Sequence, residues 1–464
     1  MSGRSSASLW IVTVLTALLC AIFLWRVVAT IGLHVPLDPN EGWNAYHAMR
    51  AMSGAPLYPG AHSFLVNNYP PLSFYVVGTF GRALGDNIIA GRILSLLGFF
   101  ATSAGIFVAA RAMGCNRLES IFSALLFAAC LFITSDYVGM DDPQLLGHAL
   151  GMAGFLFLLR EPGDWRALIA SAFFFTSAIF IKHNLVALPL AMAIWLVLYD
   201  RRGASRFVFL GAAFLLVGFV LFYLHYGISL LAVLNSARVY SFVNLIANLR
   251  EWLYWGSVSL IGVAFLLWFR RHDKYVVLCA LYASVAIAIG AIFLGGDGVD
   301  VNAMFDADIA LALSAGLLVN HFPARGVVPA LLALPIVLVL WRNWDSEWRE
   351  PDFWLHPLAT ETGEAHRDIV FLKAQDGPAL CEMLSLCYWA GKRAEVDVFN
   401  VGEQFLTGAR SDSDLGRLVE QHYFRVLQFE SLSPFALTPR IREAVEHNYR
   451  IDHTNDDGVF LLQR

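Results

Sequence analysis

Residues 9–33 read LWIVTVLTALLCAIFLWRVVATIGL, and residues 34–60 follow at once as HVPLDPNEGWNAYHAMRAMSGAPLYPG. The first segment has one charge, Arg26, in its whole length. A helix that crosses a bilayer needs about 20 mostly apolar residues, so this segment is long enough to span. The second is polar and aromatic, with proline and glycine at its turns. Apolar stretches of the first kind recur at 88–110, 118–135, 143–159, 207–226, 252–269, 275–294 and 326–341. Shorter ones lie at 167–181, 185–199 and 307–319. The count is about eleven spans. Only Arg4 precedes the first stretch and no small-residue cleavage site follows it, which reads as a retained helix rather than a removed signal peptide.

Charge divides the chain. Residues 1–341 hold 35 of the 69 Asp, Glu, Lys and Arg residues, and residues 342–464 hold the other 34. The first part is too apolar for a soluble protein, while the tail has ordinary soluble composition. The expected fold is an α-helical polytopic membrane protein, residues 1–341, with a small α/β domain, residues 342–464. The tail carries 13 basic and 21 acidic residues. Nucleic-acid binding requires clustered Lys and Arg, so no nucleic-acid partner is expected. In the tail, 368–373, 423–429 and 458–463 read as strands, and 378–390 and 440–449 as helices. Cys381 and Cys387 fall in that first helical stretch. A six-residue helical offset rises about 9 Å, beyond the roughly 7 Å Cα separation that a bridge tolerates. No disulfide is expected.

With the N-terminus in the cytoplasm, the inner loops hold Arg4, Arg111, Arg117, Arg160, Arg166, Arg201, Arg202, Arg206, Arg270, Arg271, Lys274 and Arg325. The outer loops hold only Arg50, Arg82, Lys182, Arg238 and Arg250. This agrees with the positive-inside rule and puts the tail outside. Counting 72–84 as a span would invert every later loop, so that stretch reads as an interfacial or re-entrant helix.

The chemistry-bearing residues crowd into the outer loops. Asp38-Pro39-Asn40-Glu41 is a helix start, with Asp38 at the N-cap, Pro39 at the first helical position and Glu41 three residues after the cap. Trp43, Tyr46, His47 and Met49 are expected to meet the membrane surface, and Gly54 and Pro56 to end the helix. Both carboxylates have a capping role available. A carboxylate held rigidly at the mouth of a membrane cavity is also placed to act as a base. Asn67-Asn68-Tyr69-Pro70-Pro71 makes a stiff connection, and Tyr69 could line a cavity. Asp136, Asp141 and Asp142 lie in one short loop, more acid than capping needs. Lys182 and His183 join two short helices on the outer side, against the charge bias, where a lysine suits a phosphate. Arg238 is a second phosphate candidate. Asn302 and Asp306 lie one helical turn apart, after the glycines of 295–298.

LDPNEGWNAYHAMRAMSGAPLYPG, NNYPPLSFYVVGTFGRALG and AGRILSLLGFFATSAGIFVAARAMG together resemble the GT-C superfamily of membrane glycosyltransferases. Within it the likeness is to a bacterial branch similar to protein O-mannosyltransferases and the lipid A aminoarabinose transferase. The resemblance implies a polyprenyl-phosphate-sugar donor in a bacterial inner membrane. It implies an acceptor met at the extracytoplasmic face, whether lipid, glycan or protein. It implies catalysis by Asp38 and Glu41. Members differ in their use of a divalent metal, so a metal stays open. Lys182, Arg238 and His183 would then face the donor phosphate, and Tyr69, Asp141, Asp142, Asn302 and Asp306 the substrates. One base and one displacement imply inversion at the anomeric carbon. The competing class is a polytopic lipid or solute transporter or flippase. Transporters place polar groups at mid-membrane and often show internal repeats; here the polar residues lie at one face and no repeat is found.

Overall fold

The computed structural model describes residues 2–60, 62–234, 237–322, 327–343 and 347–464. Arg325, counted above among the inner-loop charges, lies outside the described residues, as do Asn235 and Ser236 of the loop that carries Arg238.

Helices dominate. They are α1 (Ser2–Thr30), α2 (Pro39–Ser53), α3 (Leu72–Leu84), α4 (Asn87–Ala112), α5 (Arg117–Thr134), α6 (Gln144–Arg160) and α7 (Trp165–Ile181). Then come α8 (Ala187–Tyr199), α9 (Arg201–Tyr226), α10 (Phe242–Arg270), α11 (Lys274–Phe293), α12 (Phe305–His321) and α13 (Val327–Asn343). Among the described residues, seven helices are long and apolar enough to cross a membrane, and four shorter apolar ones, α6, α7, α8 and α13, complete the eleven stretches read from the sequence. The chain is therefore a polytopic helical membrane protein. The helix α12 is the axis of the bundle, buried almost throughout and packed on α5, α10 and α11. Its small residues, in ALALSAG, let neighbouring backbones approach closely. The helix α9 turns most of its surface outward, as a lipid-facing helix must. The α3 helix has the bounds expected of the re-entrant stretch.

The tail folds as α14 (Pro351–Leu355), α15 (Ala359–Ala374), β1 (Ala379–Cys381), α16 (Leu384–Trp389), α17 (Val398–Leu406), α18 (Ser413–Glu420), β2 (Val426–Phe429), α19 (Pro439–Asn448), β3 (Tyr449–Asn455) and β4 (Gly458–Gln463). The sheet order is β1-β2-β4-β3, with β1 parallel to β2 and the other pairs antiparallel. Several expectations need correction. Residues 368–373 are helical: Ala365, Asp368 and Leu372 form one buried face at spacings of three and four, which a short apolar run conceals. Residues 378–390 are not one helix but strand β1 followed by α16. That turn brings the Cα atoms of Cys381 and Cys387 to 6.1 Å, and the two are disulfide-bonded, contrary to the estimate for a continuous helix. The edge strand β3 went unread because its polar sequence faces solvent on most positions.

The tail is seated on the first loop. Trp43, Tyr46 and His47 are buried, not spread on a membrane surface, and only Met49 of that group is exposed. Tyr46 donates from its hydroxyl to the Lys392 carbonyl at 2.8 Å, and Leu384 shares an apolar cluster with Trp43, Tyr46 and Phe74. A backbone bridge pairs Phe64 with Val396, and Arg410 donates to the Ser63 carbonyl at 2.6 Å. At the centre, α2 meets α16 so closely that a Cβ on Gly42 would stand 2.1 Å from the Ser385 amide nitrogen. Overpacking of this kind costs about 1–3 kcal/mol. Gly42→Ala is expected to lower the unfolding temperature and expose the tail to protease, whereas Gly32→Ala, which has open space around it, is expected to do neither.

Candidate functional site

Asp38 has extended backbone and caps α2, accepting from the Asn40 amide at 2.7 Å. Pro39 follows at the first helical position, and Gly54 closes the helix in the left-handed region. The capping half of the sequence reading therefore holds for Asp38. Burial pushes its carboxyl up to about 6, aided by the negative charges of Asp142, Glu41 and Asp300. That places it in the range where a carboxylate can accept a proton near neutrality.

Glu41 is differently employed. Arg92 donates from Nε to Oε1 at 2.7 Å and from Nη2 to Oε2 at 2.6 Å. The Leu37 amide donates to Oε2 and the Asp141 amide to Oε1. Neither side chain of the pair is exposed. The remaining Arg92 donors reach the Leu33 and Val35 carbonyls at 2.7 and 2.6 Å. Glu41 thus does not complete a capping box and does not border the cavities described below.

Asp141 and Asp142 are adjacent but part company. Asp141 is buried against Gly91, with burial and the charge of Glu41 pushing its carboxyl well up. Asp142 accepts from Lys182 Nζ through both oxygens at 3.0 Å and from the Gln144 amide at 2.7 Å. Asp136 lies apart, bordering a separate cavity with Arg26. Burial alone would lower the Lys182 ammonium, and the charge of Asp142 outweighs it, leaving it raised and charged. The Tyr69 ring lies under it, 5.0 Å from Nζ. His183 is pushed down to about 4 by burial and by Lys182, so its ring is neutral at ordinary pH.

Two cavities meet here. The first, about 300 Å³, is bordered by Lys182, His183, Arg238, Tyr69 and Asn302. Arg238 stacks on Phe399, 4.8 Å from the ring centroid, and reaches the Asp297 carbonyl. The second, about 360 Å³, is bordered by Asp38, Asp300 and the tail residues Glu382, Asp397 and Glu430. Trp43, Tyr137, Phe399 and Asn400 border both. The structure thus gathers Lys182, Arg238, His183, Tyr69 and Asn302 in one chamber and sets Asp38 in the next. Asp306 points elsewhere: it accepts from the Tyr282 hydroxyl inside the bundle and does not converge with Asn302. Among the described residues, no three His, Cys, Asp or Glu side chains are grouped to hold a metal ion.

The sequence reading did not single out Arg92, Asn40, Phe399, Asn400, Glu382 or Asp397. For Arg92 a signal was present, since an arginine inside an apolar span is costly and needs a partner. The tail residues carry no local signal, because only tertiary contact brings them to the loop.

Residues 68–225 match the family model described as dolichyl-phosphate-mannose-protein mannosyltransferase. No curated protein matches the sequence significantly. Among solved structures, the fold is shared with ArnT from Cupriavidus metallidurans bound to undecaprenyl phosphate, at a TM-score of 0.63, 12% identity and 97% coverage of both chains. The apo state of the same protein gives a TM-score of 0.62, 13% identity and 98% coverage of both chains. The resemblance read from the sequence therefore stands at the level of the superfamily: this chain has the GT-C fold of membrane glycosyltransferases.

Proposed function

We propose that the chain transfers a sugar from a polyprenyl-phosphate-linked donor to an acceptor hydroxyl, with Asp38 as general base. The observation that carries this reading is the pair of adjoining chambers, one with Lys182 and Arg238 and the other with Asp38. The ArnT structure that shares the fold holds undecaprenyl phosphate, which supports a donor of the same class here. In the proposed reaction Asp38 takes the acceptor proton as the acceptor oxygen bonds to the anomeric carbon. The bond from that carbon to the phosphate oxygen breaks, and the electron pair leaves with the lipid phosphate. Lys182 and Arg238 meet the negative charge that develops there. A single displacement from the Asp38 side inverts the anomeric centre. Glu41 serves by holding α2 in place, not by moving a proton.

We also infer that the chambers and the tail face outward from a bacterial inner membrane, with the N-terminus inside. The loop charge bias supports this, and so does the Cys381–Cys387 disulfide, since such bonds persist in oxidising compartments. A membrane-impermeant thiol reagent added to intact spheroplasts is expected to label a cysteine placed at Ala409 and not one at Arg202, both exposed positions. The reverse pattern would turn the molecule over.

Asparagine caps a helix about as well as aspartate. Asp38→Asn should therefore leave thermal stability nearly unchanged while transfer falls by the roughly 10²–10⁴-fold associated with general-base catalysis. In the unmodified protein, kcat/KM should rise with pH through about 6, as the Asp38 carboxyl loses its proton. Full activity in Asp38→Asn would exclude it as the base.

Removing one partner of a buried ion pair strands the other. Lys182→Met should destabilise the fold as well as weaken undecaprenyl phosphate binding. Adding Asp142→Asn should restore much of the stability without restoring the binding. Recovered affinity in the double variant would reduce Lys182 to a structural partner of Asp142.

A further inference from the structure

Arg238 borders the first chamber but stands outside any helix. A long side chain on such a connection has many rotamers, so its direction must be fixed by its neighbours. Residues 238–241 run beside residues 295–297. The Ser241 amide donates to the Gly295 carbonyl at 2.7 Å, and the Asp297 amide to the Val239 carbonyl at 2.9 Å. Tyr240 and Gly296 form an antiparallel bridge between them. Arg238 Nη1 adds a bond to the Asp297 carbonyl at 3.3 Å.

The tail grips this two-stranded ribbon through α17. Glu403 is buried, 2% exposed, and its Oε2 accepts from the Val239 amide at 2.7 Å. Phe399 precedes it by four residues, which puts both on one face of the helix. The Phe399 ring lies against the Arg238 guanidinium, 4.8 Å from the centroid, where a ring face favours a cation. The same ring packs on Gly298, whose φ is 65° and where a Cβ would run into it. One helix face thus touches the amide beside Arg238, the guanidinium itself and the end of the facing strand.

The Glu403 carboxyl registers these neighbours. Burial pushes it up and the Val239 amide pulls it down, while the Asp297 charge raises it and the Arg238 charge lowers it. A carboxylate buried this deeply is costly unless it is bonded, and its bond runs to the ribbon. Glu403 is not among the residues that line either chamber. Its influence on a bound donor has to pass through Val239 and Arg238.

We propose that Glu403 is a positioning residue for donor binding: it fixes the ribbon through the Val239 amide and, with Phe399, aims Arg238 at the donor phosphate. The phosphate role of Arg238 rests on the transferase reading above; the coupling of Glu403 to Arg238 does not. The tail then contributes to the donor grip through α17, while Glu382 and Glu430, which border the Asp38 chamber, stand elsewhere on the tail.

The test is a double-mutant cycle on the full chain in detergent, read as the Kd for undecaprenyl phosphate. Arg238→Ala is expected to weaken binding about tenfold or more, the size of one lost charged hydrogen bond. Glu403→Ala should weaken it by a similar factor. In the Arg238→Ala background the same change should add less than about twofold, because the residue it positions is gone. Glu403→Gln keeps an oxygen that can accept from the Val239 amide and should bind nearly as the unmodified chain does. Tyr46→Phe removes a tail-seating bond away from the ribbon and should leave the Kd unchanged, which separates aiming of Arg238 from general loosening of the tail. If Glu403→Ala fails to fold, Phe399→Leu, on the same face, decides by the same cycle. Full binding in Glu403→Ala, an equal loss in Glu403→Gln or in Tyr46→Phe, or losses that multiply in the double variant overturn the proposal. Multiplying losses with Arg238→Ala still weak sink this inference alone. Unchanged binding in Arg238→Ala sinks the donor reading of Arg238 and the inference with it.

Discussion

The ion pair between Arg92 and Glu41 is the point from which the loop face of the molecule hangs. One guanidinium on α4 binds a carboxylate on α2 and the carbonyls of Leu33 and Val35, and the same carboxylate receives the Asp141 amide. A spanning helix, the end of the first span, the first-loop helix and the second acidic loop are joined through two side chains. Burying both charges is favourable only because every donor and acceptor finds a partner. Breaking such a pair from one side typically costs about 3–5 kcal/mol. Asp38 lies one helical turn before Glu41, and Asp142 directly follows Asp141. The position of Asp38 and the position of the carboxylate that pairs with Lys182 are consequences of one pairing.

Much of this was legible in the sequence. The eleven apolar stretches, the short α3 and the helix start at Asp38 followed from length, charge and turn chemistry, which are local properties. Lys182, Arg238 and His183 were expected together at a donor phosphate, and Tyr69 apart from them as a cavity residue; the structure puts all four around one chamber. What could not be read were properties that depend on partners. Glu41 had the spacing of a capping box, but Arg92, 51 residues away in sequence, claims it. Residues 368–373 looked like a strand because a six-residue apolar run does not reveal its period. The disulfide was missed because its distance was reckoned along a helix, whereas the chain bends between β1 and α16.

The chambers also show why the tail is more than an appendage. Cys381 and Cys387 bracket the segment that carries Glu382 and Leu384. Leu384 packs with Trp43 and Tyr46, and Glu382 faces the Asp38 cavity. The apolar contact seats the tail, and the seating completes the chamber. Trp43 takes part in both events, since its indole nitrogen donates to Asp397 while its ring borders both cavities.

The two chambers share Trp43, Tyr137, Phe399 and Asn400, but the rest of their charged lining differs in origin. Lys182 and Arg238 stand on connections between spanning helices, whereas Glu382, Asp397 and Glu430 stand on the tail. Substitutions at Glu382 or Glu430 can therefore reshape one chamber without touching a residue that lines the other. On the proposed reading, a bundle of this kind could change its acceptor while keeping its hold on the donor. Grafting a foreign tail onto this bundle then becomes a rational route to altered specificity.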